Sequence, residues 1–164
     1  MPNHFHILCK SKTINDNIKK VIEKEGTRKG IAFLNDEVAI NVFYEDQFRR
    51  FFISYTNSIN KQEKNRHGGL FNAKFKRTLV STVDDFLYFL HYIHHNPIHH
   101  DFALDYSDWD YSTYHVYHDQ ITAKGLSKSP VLKLFASKTD PSGWTGFVES
   151  HEAFRTNFKD FYGR

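Results

Sequence analysis

The residues of this sequence best suited to chemistry are two histidines near its beginning. His4 and His6 flank Phe5. On a β-strand, alternate side chains point to opposite faces, so the two imidazoles lie on one side, about 6–7 Å apart, while Phe5 points into a core. Two imidazoles in that arrangement can hold a metal ion when a third ligand comes from elsewhere.

Tyr92 and Asn96 supply the groups that such an ion needs. They are four residues apart in a segment with a helical pattern, so they lie one above the other. His4, His6 and Asn96 form a mixed nitrogen and oxygen donor set, which suits Mg²⁺ or Mn²⁺. Such an ion acts as a Lewis acid on a phosphodiester. Tyr92 is then the candidate nucleophile, and its attack links the protein to DNA through phosphotyrosine.

Hydrophobic periodicity predicts the elements that position these groups. Helices are predicted at about 14–25 and 45–62, and from Thr82 to a stop at Pro97, because the residue before a proline leaves helical geometry. Thr82 and Asp85 form a possible capping box. Strands are predicted at 4–10 and, after a turn, within 70–81. Short helices are predicted near 131–136 and 149–161.

An aromatic stripe marks the second of these helices. Five apolar side chains fall on one of its faces, and we predict that they form core packing: Phe48, Phe51, Phe52, Tyr55 and Ile59.

Basic residues suggest contacts with nucleic acid. Arg66 lies in the polar loop 61–69. In the second predicted strand, Lys74 and Lys76 share one face, and Arg77 shares the other with Phe75 and Leu79. Cations interleaved with aromatic rings suit single-stranded DNA. A solvated loop and an edge strand protected by lysines explain the same pattern, and both alternatives stay open.

A second histidine cluster, His94, His95, His99 and His100, resembles a metal site. We predict that it is mainly a solvated helix end and loop.

Composition sets the broad class of protein. The chain has 164 residues, 40% of them hydrophobic, which suggests one domain with a short appendage. The net charge of +3 permits a nucleic-acid partner. No run of about 18 apolar residues exists, so no membrane association is expected. With one cysteine and no signal peptide pattern, a cytoplasmic location is expected.

Several motifs together resemble a known family, the REP-associated tyrosine transposases, which belong to the HUH single-tyrosine transposases of bacterial insertion sequences. They match in order and approximate spacing over about residues 1–118. The motifs are Pro2-Asn3-His4-Phe5-His6, Gly69-Leu70-Phe71 with Phe75-Lys76, Tyr92-Ile93-His94-His95-Asn96-Pro97, and Asp108-Trp109 with Tyr111-Ser112-Thr113-Tyr114.

The resemblance implies a fold and a reaction. The implied fold is α/β (α+β), a ferredoxin-like sandwich with an antiparallel sheet, over residues 1–118, followed by a helical tail over 119–164. The strand and helix that normally precede the Pro-Asn-His motif are expected to be lacking. The implied activity is metal-dependent cleavage and rejoining of single-stranded DNA beside hairpins, through a 5′-phosphotyrosine. His4, His6 and Asn96 would be metal ligands, Tyr92 the nucleophile, and the protein a monomer or homodimer.

Two other functions remain open. The chain could be a non-catalytic DNA-binding remnant of such a transposase, whose basic segment grips DNA without a metal. A weaker alternative is a metal-binding protein unrelated to DNA.

Overall fold

The computed structural model describes residues 4–71, 75–119 and 121–162, with side chains up to residue 158, and these ranges contain helices but no strand. They hold one 3₁₀ helix, Tyr106–Asp108, and seven α-helices: α1 (Asp16–Glu25), α2 (Arg28–Leu34), α3 (Ile40–Gln62), α4 (Val83–His99), α5 (Tyr114–His118), α6 (Lys128–Leu132) and α7 (Trp144–Tyr162). In the part of the chain so described, no helix is long and apolar enough to cross a bilayer.

The expected ferredoxin-like α/β sandwich is therefore wrong. The segments predicted as strands, 4–10 and the described part of 70–81, form no sheet. Alternating apolar and polar side chains predict a strand, but an isolated strand leaves its backbone groups without ladder partners. Both segments are extended or irregular chain, and the helices carry the structure.

Local signals placed most helices correctly. The capping box at the start of α4 is confirmed, with the Asp85 N–H donating to the Thr82 hydroxyl at 3.0 Å and the Thr82 N–H donating to the Asp85 carboxylate at 3.2 Å. The first helix begins at Asp16 with Asn15 as its cap, and it ends at Gly26, whose φ of 60° glycine adopts without strain. The third begins at Ile40, five residues before its predicted start.

The predicted stop of α4 at Pro97 is wrong, because the helix continues to His99. Proline removes one hydrogen bond and its ring crowds the carbonyl four residues earlier, but α4 accommodates Pro97 two residues before its last residue. The His100 N–H donates to the Asn96 carbonyl at 3.1 Å and closes the last turn.

The chain forms two compact units. The minor unit, Lys10–Thr78, contains α1, α2 and α3. Its best-buried side chains are Ile22 and Phe43, and the Phe43 ring stacks on that of Phe33 with centroids 4.8 Å apart. Gly30 is buried where a side chain would collide with Ile22, so α2 can approach α1 closely.

The major unit comprises the described residues up to Cys9 together with those from Leu79 onward. In its core, α4 packs against α7 and the 3₁₀ helix, and α5 packs against α6, α7 and the 3₁₀ helix. Six buried side chains form that core: Leu90, Tyr106, Tyr114, Tyr117, Val131 and Phe147. Helices α4 and α5 thus share α7 and the 3₁₀ helix as neighbours.

Gly143 provides a test of this packing. Its φ is +73°, and an added Cβ would collide with the Leu132 carbonyl oxygen at the end of α6. Gly125 has a similar φ, +82°, but open space around it. Gly125→Ala should therefore cost about 1–2 kcal/mol from backbone strain alone. Gly143→Ala should cost at least about 2 kcal/mol more, because strain and overpacking add. Urea unfolding measures the stability of the two variants, and an equal loss of stability in both would contradict the close packing of Gly143 on Leu132.

Candidate active site

His4 and His6 lie against the face of α4 that carries Tyr92. The ring centroids of His4 and His6 are 5.2 Å apart, and the His6 ring meets the Tyr92 ring edge-on at 5.6 Å. The His4 ring meets that of His100 at 5.9 Å. Two histidines from the beginning of the chain and a tyrosine 86 positions beyond His6 are therefore brought together in one unit.

Asn96 lies between these two contacts along the helix. Tyr92, Asn96 and His100 follow one another at intervals of four, so Asn96 occupies the turn between the residues that His6 and His4 touch. Its side chain is 2% exposed. Neither its amide oxygen nor its amide nitrogen has a hydrogen-bond partner among the described residues. A buried polar group without a partner costs about 1–3 kcal/mol, so it calls for an explanation, such as an ordered water or a bound ion.

The His4–His6 pair has the spacing of two metal ligands. A metal bound by imidazole nitrogens at about 2.1 Å lies roughly 3.2 Å from each ring centre, so two ligands at about 100° place their ring centres roughly 5 Å apart. The observed 5.2 Å fits this spacing. No three His, Cys, Asp or Glu side chains of the described ranges form a group that could hold a metal ion. A metal at this pair would thus need an oxygen ligand of another kind, such as the orphaned amide of Asn96.

Electrostatics keep both histidines able to bind a metal. Burial, and then the neighbouring His100, lower the pKa of His4 below its usual value. Burial, followed by His4 and His100, lowers the pKa of His6. The neutral imidazole is the form that donates a lone pair to a metal, and this form predominates at neutral pH.

The local structure around the pair differs from the prediction. His4 and His6 lie on irregular chain rather than on a strand, and both are exposed. Phe5, predicted to point into a core, is 51% exposed. The two imidazoles are still next to each other, with ring centroids 5.2 Å apart, but no hydrogen bonds of a sheet fix the backbone of residues 4–6.

Three of the predicted DNA-binding residues, Arg66, Lys76 and Arg77, belong to the minor unit, whereas the histidine and tyrosine set belongs to the major unit. Arg77 pairs with Glu45 at 2.8 Å and donates to the Asn41 carbonyl at 2.7 Å, so its charge is partly used within the protein. Lys76 is exposed, and Arg66 donates to the Gly69 carbonyl at 3.5 Å. Lys74 lies outside the described residues.

The second histidine cluster divides into two parts. His99 and His100 are exposed, as predicted for a solvated helix end. His94 and His95 are buried, with 2% and 5% exposure, so for them the prediction is wrong. They point into the core of the major unit because α4 is covered there by α7.

A buried histidine network of His91, His94 and His151, with Thr113 and Ser150, lies at that contact. The Phe147 carbonyl accepts from Nδ1 of His151 at 2.8 Å, which leaves Nε2 of His151 as an acceptor for Nδ1 of His94, also at 2.8 Å. Nε2 of His94 then accepts from the Thr113 hydroxyl at 2.9 Å. The partners thus dictate one tautomer for each of these two rings and leave no polar atom of them unpaired.

Burial lowers the pKa of all three histidines. It brings the pKa of His151 to about 2, that of His94 to about 3 and that of His91 to about 4. All three are therefore neutral at physiological pH. The sequence contained one signal for His151, which was missed: it stands at the helical spacing of the apolar residues Phe147, Phe154 and Phe158.

Comparison of the chain with models of known protein families, with curated proteins and with solved structures found no match.

The buried histidine network makes stability depend on pH. The folded-state pKa values lie below the unfolded value of about 6.5, so the stability is complete above pH 6.5 and is lost as the pH falls. Between about pH 6.5 and pH 4, unfolding takes up as many as three protons, each worth about 1.4 kcal/mol per pH unit, or about 4 kcal/mol per unit together. Urea unfolding followed from pH 7.5 to pH 4.5 measures this slope.

A matched pair of variants isolates the contribution of one histidine. In the double variant H91L/S150A, the imidazole and the hydroxyl bonded to it at 2.8 Å are removed together, so the hydroxyl is not left without its partner. Its unfolding should take up about one proton fewer, so the slope of its unfolding free energy against pH should fall by about 1.4 kcal/mol per pH unit. His67→Leu, at an exposed histidine, should leave the slope unchanged. An acid slope equal in the double variant and the wild type would refute the role of His91.

Proposed function

We propose that this chain cleaves and rejoins single-stranded DNA through a covalent link between Tyr92 and a 5′ phosphate. The observation that carries the proposal is the contact of His6 with Tyr92, at 5.6 Å between ring centroids, with His4 beside it at 5.2 Å. The proposal is a transposase-like activity, that of a single-strand endonuclease and strand transferase of the REP-associated tyrosine transposase kind. It does not include the ferredoxin-like sheet.

The reaction begins at the phenol of Tyr92. Its oxygen attacks the phosphorus of the scissile phosphodiester and forms the new P–O bond, while its proton passes to solvent. The P–O3′ bond breaks, and the departing 3′ oxygen takes up a proton to become a hydroxyl. Rejoining is the reverse: a 3′ hydroxyl attacks the phosphotyrosine, and Tyr92 is released as the free phenol. One phosphodiester is exchanged for another bond of the same class, so no energy source is needed.

The protein positions the nucleophile through α4. Tyr92 is only partly exposed, and it packs on Tyr88 with ring planes 14° apart and centroids at 6.2 Å. The His6 ring covers another side. These contacts limit the orientations of the phenol, which raises the fraction of bound substrate in a reactive geometry.

His4, His6 and Asn96 are the residues that would hold a divalent ion, Mg²⁺ or Mn²⁺. Such an ion supplies Lewis-acid stabilisation of the phosphate charge. The support for this ligand set is the spacing of the two imidazoles, their neutral form at pH 7 and the unpartnered buried amide of Asn96.

The substrate that we propose is single-stranded DNA with an adjoining hairpin. Exposed Lys76 together with Arg66 of the minor unit is available for phosphate contacts. Arg77 would have to compete with its ion pair to Glu45.

A non-catalytic DNA-binding remnant is the second candidate function. The observation in its favour is that His4 and His6 lie on exposed irregular chain, where a ligand set is less preorganised than on a rigid element. This alternative predicts binding of single-stranded DNA without cleavage, and binding that His4→Ala does not alter.

Tyr92→Phe should abolish the covalent adduct. The wild-type protein, incubated with a hairpin-bearing single-stranded oligonucleotide and Mg²⁺ or Mn²⁺, should form a DNA–protein species that survives denaturing electrophoresis. The phenylalanine variant keeps the ring but lacks the attacking oxygen. Tyr88→Phe is the matched control, one turn earlier on α4, and should still form the adduct. An adduct in the Tyr92 variant, or none in the wild type, counts against the proposal.

Asn96→Leu should separate folding from metal binding. Leucine has nearly the same shape and needs no hydrogen bond, so the variant should be about 1–3 kcal/mol more stable to urea in the absence of metal. It should also lose the rise in melting temperature that Mn²⁺ gives to the wild type, since ligand binding stabilises the folded state. A variant that is less stable and still stabilised by Mn²⁺ would remove Asn96 from the ligand set.

A further inference from the structure

Helix α3 of the minor unit presents a row of exposed rings where core packing was predicted. Phe51 is 56% exposed and Tyr55 47% exposed, so for these two the prediction of core packing is wrong. Phe71, which follows the loop after α3, is 38% exposed. Exposed large aromatic side chains grouped in this way mark a binding surface more often than a solvated one.

These three rings form an ordered ladder. The rings of Phe51 and Tyr55 stack with planes 22° apart and centroids at 6.4 Å, and Tyr55 meets Phe71 at 6.5 Å and 33°. Phe52, which is only partly exposed, makes edge contacts with two of these rings, Phe51 at 5.4 Å and Phe71 at 5.1 Å between ring centroids. The outer parts of the rings are left accessible and roughly aligned.

Two exposed cations lie on the face of α3 next to the ladder. Arg50 and Lys61 lie on the adjoining face of α3, at the two ends of a shallow depression that Ser54 and Ser58 also line. Within the described ranges, neither cation takes part in an ion pair. The acids at the beginning of α3 are already paired, Glu45 with Arg77 at 2.8 Å and Asp46 with Arg49 at 2.7 Å. The surface therefore combines apolar rings with a net positive charge.

We propose that this surface, the α3 platform of Phe51, Tyr55, Phe71, Arg50 and Lys61, binds the unpaired bases of single-stranded DNA. Bases stack on the rings, and phosphates contact the two cations. Stacking on aromatic side chains tolerates any base, because every base has a π face. The inference rests on the proposed function for its substrate, and it adds a second, non-catalytic contact with that substrate.

Charge favours DNA over a second copy of the chain as the occupant. Two α3 helices packed antiparallel through this face would bring Arg50 of each copy towards Lys61 of the other, with the nearby acids already paired. Like charges opposed in this way destabilise an interface. A polyanion with exposed ring faces complements both features of the platform.

The test is binding of a fluorescent hairpin oligonucleotide with an unpaired flank, measured by anisotropy in the presence of EDTA. The double variant F51A/Y55A should bind at least about tenfold more weakly, since two stacking contacts are lost. The matched control is Val21→Ala, another exposed apolar residue of the minor unit, 56% exposed and on α1 rather than α3. It should bind like the wild type. If alanine unfolds the minor unit, F51L/Y55L retains apolar bulk without a ring face and should show the same weakening.

Salt dependence provides a second measurement. Removal of both cations in R50Q/K61Q should reduce the slope of log affinity against log salt by about 1.4, since each phosphate contact with a single strand contributes about 0.7. An unchanged slope would remove the two cations from the platform.

The outcomes separate this inference from the proposed function. At saturating DNA with Mn²⁺, F51A/Y55A should still form the Tyr92 adduct, because the platform binds DNA without taking part in the reaction. A wild type that binds no DNA overturns both proposals. Wild-type adduct formation together with unweakened DNA binding by F51A/Y55A and F51L/Y55L overturns the platform alone. The platform proposal alone is also overturned if sedimentation shows that the wild type is a dimer and F51A/Y55A a monomer, while both bind DNA equally well.

Discussion

The hydrogen bond between His94 of α4 and His151 of α7 is the interaction on which the major unit depends. It joins two nearly inaccessible imidazoles at 2.8 Å, and it works only when both rings are neutral and each has one particular tautomer. Thr113 at one end and the Phe147 carbonyl at the other impose those tautomers. A complete chain of donors and acceptors replaces the apolar contact that usually joins two core helices.

This contact determines what the other side of α4 can do. With His91, His94 and His95 turned towards α7, the face that bears Tyr92 and Asn96 is turned towards residues 4–6. Asn96 is buried without a hydrogen-bond partner among the described residues, one helical turn after Tyr92. One face of α4 thus packs into the core through its histidines, and the other face carries Tyr92, the proposed nucleophile.

The main helices were largely predictable, whereas the predicted sheet is absent from the residues that the structure describes. The ends of α1 and the start of α4 follow from capping residues and a glycine, whose effects are local. The strands at 4–10 and 70–81 were inferred from alternation, which shows only that side chains could share a face. Whether such a segment becomes a strand depends on a partner far away in sequence. The grouping of His4, His6 and Tyr92 was expected, although the element predicted to position the two histidines was wrong.

By itself, the sequence predicted the approximate positions of the main helices and singled out His4, His6, Tyr92 and Asn96 as a candidate set of chemical groups. Tertiary structure alone decided which aromatic and histidine side chains are buried. Phe51 and Tyr55 have the same helical spacing as core residues but are exposed, and His94 sits near a helix end but is inaccessible. The physical reason is that burial depends on which elements cover a face, and periodicity describes only the face itself.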